Sequence, residues 1–393
     1  MAAVDVRDGL ISKELEERTI GWRRHLHANP ELSFEEHETS AFVEQTLRSF
    51  GGLEIERPTP TSVLARLHGS RPGKVVALRA DLDALPIHEE NDVPYASTRP
   101  GVMHACGHDG HTAMLLAAAS ALVERRDSLS GEVRFVFQHA EELPPGGAEA
   151  LVAAGVVDGA DLVAGIHLLS GLETGLISVQ PGAVTAAADL FSLEITGRGG
   201  HGAFPHETVD PVAVAAQVIA NLQHVVARET DPFDSAVVSV TTVHGGTAKN
   251  VIPGSVVLGG TVRTLDTTRR ADVCDAIERI VSGVTAAHRA TYTFDYEVGY
   301  DPVVNDPGVV GMVREAIVGE LGGDALAVRP PVMAGEDFSA YGRVAPAAFV
   351  WVGSGNEALG TTFAHHHPRF DIDEAALRLG AAVFVRTALD ALA

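Results

Sequence analysis

The densest chemistry in the chain is the stretch Met103-His104-Ala105-Cys106-Gly107-His108-Asp109-Gly110-His111, where three imidazoles, a thiol and a carboxylate fall within nine residues. Cys106 and His108, two positions apart in a loop, can face one ion. Thiolate with imidazole is a borderline-soft donor pair that suits zinc and its neighbours. His104 and His111 fit supporting roles better. Alone, the motif would read equally well as a buried cysteine beside a helix-capping histidine. Partners occur further along: the adjacent Glu141 and Glu142 before Pro144-Pro145-Gly146-Gly147, His167 after an apolar run, the turn Gly199-Gly200-His201, and the run His365-His366-His367. Two neighbouring carboxylates cannot approach one ion from the same direction, so the useful division has one ligating and the other activating water. That is metal-assisted hydrolysis, in which a glutamate takes a proton from a metal-acidified water and returns it to the leaving group. Taken together, the set offers enough donors for two metals that share ligands and leave positions for water and substrate.

These residues need elements to place them. Helical spacing predicts helices over 8–28 and 35–50, with His25 and His27 solvated or capping. Strands are expected over 63–67 and 74–78, joined as a hairpin through 69–73. The second runs into Asp81 and Asp83, and strand C-terminal ends are where α/β enzymes build sites. Residues 112–124 are apolar almost all round, which predicts a buried helix just after the histidine cluster. A strand over 133–137 ends at the Glu141-Glu142 pair, a helix covers 148–154, and a strand over 161–166 ends at His167. This alternation implies an α/β domain with a mixed or mostly parallel sheet. The middle of the chain changes character. Strand 190–196, helix 210–225, strands 237–243 and 256–263, helix 269–287 and strand 292–298 follow the β-α-β-β-α-β order of the ferredoxin-like split motif. The α/β pattern then returns, with helix 307–321, strand 347–352 and a final helix 373–391. The expected division is 1–183 and 300–393 for one catalytic domain, with 184–299 inserted as a second.

Composition excludes several function classes. With 393 residues, 46% of them hydrophobic and 21% charged, the chain reads as globular and large enough for two cores. A net charge of −23 argues against a nucleic-acid footprint or an anionic membrane surface. Two distant cysteines, Cys106 and Cys274, do not make a disulfide scaffold. Residues 1–8 lack an apolar signal core and no run of 18 uncharged apolar residues occurs, so a cytoplasmic protein with no membrane span is expected.

Six stretches together resemble the M20 metallopeptidase family, in its amidohydrolase branch. They are Arg79-Ala80-Asp81-Leu82-Asp83-Ala84-Leu85-Pro86, His104 to His111, Gln138-His139-Ala140-Glu141-Glu142, Gly199-Gly200-His201-Gly202-Ala203-Phe204-Pro205-His206, Asn250-Val251-Ile252-Pro253, and His366-His367-Pro368-Arg369-Phe370-Asp371. The resemblance implies a metallopeptidase-type mixed-sheet catalytic domain carrying an inserted ferredoxin-like α+β lid and dimerisation domain. It implies Cys106 as a thiolate shared by two divalent metals (zinc, manganese, cobalt or nickel), with His108, Glu142, His167 and His366 completing the sites. Glu141 would be the general base and Asp81 a carboxylate that orients a ligand. His201, on the lid, would reach the oxyanion, commonly in the partner subunit's site of a homodimer. Asn250 and Arg263 would be polar groups on the substrate side. The implied reaction is hydrolysis of the amide bond of a small N-acyl or N-aroyl amino acid. A di- or aminopeptidase of the same superfamily is the rival enzyme, and Cys106 speaks against it, since peptidase branches usually carry aspartate there. A non-catalytic metal-binding protein is the other rival, and it would have no use for Glu141. In the triple-histidine run, the spacing to Pro368 and Phe370 selects His366.

Overall fold

The computed structural model of the protein describes residues 9–393, so the expectation about residues 1–8 lies outside it. Two compact units are present: one holds the chain through Gly182 with Val304–Pro330 and Asp337–Ala393, the other Ala183–Val303 with Pro331–Glu336.

The first unit opens with helices α1 (Lys13–Ala28) and α2 (His37–Phe50) and strands β1 (Glu54–Glu56), β2 (Val63–His68) and β3 (Arg71–Asp81). Helix α3 (His108–Val123), strand β4 (Ser130–Gln138), helix α4 (Ala148–Ala153) and strands β5 (Leu162–Glu173) and β6 (Ile177–Ser178) follow. The hairpin expected between β2 and β3 does not form. β4 lies between them, antiparallel to β2 and parallel to β3. The reason is how closely the start of β4 is wedged in: a Cβ on Gly73 would stand 2.3 Å from the Ser130 carbonyl oxygen. Glycine therefore serves close backbone approach here, not a turn. Two further expectations shift. β5 continues past His167 to Glu173, so His167 lies within the strand. α3 begins at His108, so His108 and His111 occupy its first turn rather than preceding it.

In the second unit, β7 (Ala187–Thr196), α5 (Pro211–His224), β8 (Ala236–His244), β9 (Ser255–Thr264), α6 (Thr267–Ala287) and β10 (Thr291–Tyr300) form an antiparallel sheet in the order β8-β9-β7-β10. That is the strand order of the split β-α-β motif. Phe191, Leu193 and Ile195 of β7 alternate inward and pack on Val214 and Val218 of α5 and Ile277 and Val281 of α6. Asp266 caps α6, accepting from the backbone N–H of Thr268 at 2.7 Å and of Arg269 at 3.1 Å. Asp266→Ala is expected to cost about 1 kcal/mol at pH 7. The two backbone N–H bonds hold the Asp266 carboxyl below its ordinary value, so the cap is present above the unfolded carboxyl's range and is lost as pH falls through the lowered folded value. Urea midpoints of the full chain should therefore show the wild-type advantage at pH 7 and its progressive decline as pH is lowered below about 4, the ordinary carboxyl value.

The chain then completes the first unit with α7 (Pro307–Leu321), β11 (Ala347–Gly355) and α8 (Ala375–Ala391). Its sheet has the order β1-β2-β4-β3-β5-β11-β6, with β4, β3, β5 and β11 mutually parallel. The fold is α/β with a mixed sheet, as expected. α3 is buried along nearly its whole length, its Met114, Leu115 and Leu116 sharing a core with Val76 and Leu78 of β3 and Phe135 of β4. Parallel register puts Asp81 at the end of β3 beside Gln138 at the end of β4, and Arg79 opposite Gly165, so that His167 within β5 comes level with them. No helix among the described residues is long and apolar enough to cross a membrane.

Candidate metal centre

Gly107 opens the site. It has φ of +90°, a left-handed conformation open to glycine at little cost. It turns the chain between Cys106 and the first residue of α3, so that both Cys106 and His108 join donor groups. The donor atoms of Cys106, His108 and His167 lie within 4.8 Å of one another. So do those of Cys106, Glu142 and His366, and those of His108, Glu141 and Glu142. Cys106 and His108 each belong to more than one group, which is what two ions sharing ligands would need.

The spacing suits ligation better than hydrogen bonding. His108 Nε2 stands 3.7 Å from Asp81 Oδ2, 3.8 Å from Glu142 Oε1 and 4.0 Å from Glu141 Oε2. Cys106 Sγ is 3.5 Å from His167 Nε2, and His366 Nε2 is 3.2 Å from Glu142 Oε1. Donors around an ion with bonds of about 2.0–2.3 Å stand roughly 3–4 Å apart. His108 Nε2 is buried without a hydrogen-bond partner, and an orphaned polar atom in such a place calls for a ligand. These residues fit a divalent cation.

Electrostatics point the same way. Burial pushes the Cys106 thiol well above its ordinary value, and Glu142, Glu141 and Asp81 push it further. Burial alone would depress His108, but the Asp81, Asp83 and Glu142 carboxylates outweigh it and lift the ring to about 10. Burial holds His167 well below its ordinary value, with the neighbouring His111 and His365 adding to the effect. A concentration of carboxylates around a thiol and a neutral imidazole is compensated by a dication, which makes the thiolate the favoured form.

Supporting residues fix the donors. His108 Nδ1 lies 2.9 Å from the Asp83 carbonyl oxygen, and Asp83 Oδ2 accepts from the Glu142 backbone N–H at 2.9 Å. Asp83 thus orients two donors at once. Asp81 takes a different partner: its Oδ1 is 2.6 Å from His111 Nδ1, and its Oδ2 accepts from Arg79 Nη1 at 2.7 Å. His111 Nε2 in turn accepts from the Leu168 N–H at 2.8 Å, next to His167. Ala140, with φ of +49°, and His366, with φ of +63°, hold left-handed conformations that cost non-glycine residues about 1–2 kcal/mol each. Each is pinned: the Ala140 N–H donates to Glu36 Oε1 at 2.7 Å and the His366 N–H to the Ala105 carbonyl at 2.8 Å. Burial raises the Glu36 carboxyl to about 7.

In the triple-histidine run, His366 is the residue that shares a donor group with Cys106 and Glu142. His365 Nδ1 is 3.6 Å from Cys106 Sγ, and its Nε2 accepts from the Ser170 N–H at 3.4 Å. His367 stacks on Phe363, with ring centroids 4.7 Å apart. His104 is buried with neither ring nitrogen hydrogen-bonded. His27, expected to be solvated or capping, is fully buried instead, with Nδ1 2.8 Å from Asp109 Oδ2. Its helix packs over the start of α3, a contact that local sequence does not reveal.

The remaining candidates lie on the second unit. His201 and Asn250 are exposed, and Gly200–His201 pairs antiparallel with Val251–Ile252. His201 Nδ1 accepts from the Ala203 N–H at 3.0 Å. A neutral ring must then carry its proton on Nε2. Arg263, on β9, directs Nη1 to the carbonyls of Val262 at 3.0 Å and Asp189 at 3.4 Å. The sequence reading placed Asp83 beside Asp81 at a strand end without giving it a role, and it missed Glu36 as a supporting group. Asp83 carried a signal, two positions beyond Asp81 at a strand end. Glu36, in a charged helix start, carried none.

A family model described as Peptidase family M20/M25/M40 matches residues 77–390. The chain is 58% identical over 292 residues to an N-acyl-L-amino acid amidohydrolase of Geobacillus stearothermophilus, covering 74% of this chain and 79% of that one. It is 42% identical over 373 residues to thermostable carboxypeptidase 2 of Saccharolobus solfataricus, covering 94% of each. A crystal structure of the Bacillus subtilis YXEP protein, described as a dinuclear metal binding peptidase from the M20 family, matches with a TM-score of 0.85 at 36% identity, covering 97% of this chain and 99% of that one. A donor cluster fit for divalent metal and a match across most of the chain agree, and the protein belongs to the metal-dependent hydrolase family M20/M25/M40.

Proposed function

We propose that the protein hydrolyses the amide bond of N-acyl or N-aroyl amino acids, releasing a carboxylic acid and the amino acid. The observation that carries this reading is the placement of Glu141 beside the donor groups, its Oε2 4.0 Å from His108 Nε2. Cys106 would be the shared thiolate, with His108, Glu142, His167 and His366 as the other ligands of two ions. Zinc, manganese, cobalt or nickel, when bound, would acidify water and polarise the substrate carbonyl. Glu141 would accept a proton from the attacking water as the water's oxygen bonds to the carbonyl carbon. It would then deliver the proton to the amide nitrogen as the C–N bond breaks. Asp81 keeps His111 and Arg79 in place, and through His111 the strand that carries His167.

On the second unit, His201 would offer its Nε2–H to the oxyanion, a donor worth about 3–4 kcal/mol in comparable sites. The tautomer set by the Ala203 N–H supports that role. Asn250 and Arg263 would contact the amino-acid portion. The reading includes closure of the second unit as a lid, a homodimer built on it, and a cytoplasmic enzyme acting on small molecules. The rival reading is a di- or aminopeptidase of the same superfamily; Cys106 and the similarity to a relative named N-acyl-L-amino acid amidohydrolase favour the amidohydrolase reading.

The test is a kinetic panel with the metal-loaded protein. N-acetyl, N-benzoyl and indole-acetyl amino acids should show kcat/KM about tenfold or more above matched dipeptides. Faster turnover of dipeptides across the panel would replace this reading with the peptidase one.

A further inference from the structure

The side chain of Arg23 on α1 has no solvent exposure, and it joins the first turn of α3, which follows the Cys106 loop, to the loop after His366. Its Nε donates to Asp109 Oδ2 at 2.7 Å. Its Nη2 donates to Asp371 Oδ1 at 2.7 Å and its Nη1 to Glu374 Oε1 at 3.3 Å. Asp109 directly follows His108, and Asp371 lies five positions beyond His366. The guanidinium also sits 4.8 Å from the centroid of the Tyr95 ring, whose hydroxyl donates to Asp371 Oδ2 at 2.9 Å. A buried guanidinium persists only when its donors meet acceptors, and here they meet carboxylates from both segments.

We infer that Arg23 is a positioning residue that sets the distance between the Cys106–His108 loop and the His366 loop. The inference rests on the two-metal reading above. The His366 N–H bond to the Ala105 carbonyl, at 2.8 Å, ties the loops near the ligands. His365 Nδ1 at 3.6 Å from Cys106 Sγ is a further contact near the ligands. Arg23 adds the charged tie on the far side of His108, through Asp109 and Asp371, and so limits how far the two segments can separate there. The consequence differs between the donor groups. Cys106, Glu142 and His366 span both loops. Cys106, His108 and His167 do not draw on the His366 loop. Loosening Arg23 should therefore weaken the spanning group selectively.

The test is cobalt(II) titration of the metal-free full-length protein, followed by the thiolate-to-cobalt absorption and by equilibrium dialysis, with thermal midpoints recorded in parallel. Wild type should bind two equivalents. Arg23→Met should keep one equivalent at near wild-type affinity and weaken the other by about tenfold to a hundredfold. Arg23→Lys should fall between, because an ammonium cannot engage carboxylates in the fork geometry of a guanidinium. Asp371→Ala, which removes the acceptor of Arg23 Nη2 and leaves the Arg23–Asp109 pair in place, should reproduce the selective loss if Arg23→Met does not fold. Two unchanged equivalents in Asp371→Ala and Arg23→Lys would overturn the inference while leaving the two-metal reading in place. Equal weakening of both equivalents, in step with a lowered thermal midpoint, would also overturn it. Fewer than two equivalents in wild type would overturn the two-metal reading itself, and the inference with it.

Discussion

Glu141→Gln is expected to lower kcat by about 10²- to 10⁴-fold, the range for loss of a general acid–base group. That corresponds to roughly 3–5 kcal/mol of transition-state stabilisation. The amide matches the carboxylate in shape but cannot take a proton from water or return one to the departing amine. KM should change little, because the lost interaction belongs to the transition state. Metal content should stay at the wild-type value, since the ligand assigned to the adjacent position is Glu142, held by Asp83 through its backbone N–H. Metal analysis and steady-state kinetics on one preparation test all three statements. A variant with normal metal content and a rate within a few-fold of wild type would remove Glu141 as the base.

Cys106→Ser should strike both ions. Cys106 belongs to the group with His108 and His167 and to the group with Glu142 and His366. Serine keeps nearly the same volume, so the metal-free protein should unfold at close to the wild-type temperature. Affinity should drop by at least the tenfold to hundredfold seen when mere outer partners of ligands are lost. At fixed metal concentration each tenfold weakening removes about 1.4 kcal/mol of metal-dependent stabilisation. Proton release supplies an independent readout. Burial and neighbouring carboxylates hold the free thiol protonated, so metal uptake must expel that proton, and wild-type affinity should rise with pH. The serine variant should release fewer protons and show a flatter pH dependence, measured by titration calorimetry in buffers of different ionisation enthalpy. Unchanged metal content and rate would take Cys106 out of the centre.

Legibility differed between features for physical reasons. The all-round apolar run that became α3 was readable because burial of a whole helix leaves its mark on every residue. The β-α-β-β-α-β order of the second unit was readable for the same kind of reason, since alternation and turn residues are local properties. The hairpin between β2 and β3 was misread because glycines that admit a close backbone resemble glycines that make a turn. His27 was misread because its partner Asp109 is 82 residues away.

The donor types and their order along the chain were thus written in the sequence by itself. So was the α/β class, because hydrophobic periodicity and punctuation act over a few residues. Which donors meet, and what holds them, only the tertiary structure decided. Asp83 reaches Glu142 across 59 residues, Glu36 reaches Ala140 across 104, and Arg23 reaches Asp371 across 348. A hydrogen bond carries no sequence pattern when its two ends are brought together by the packing of separate helices and strands.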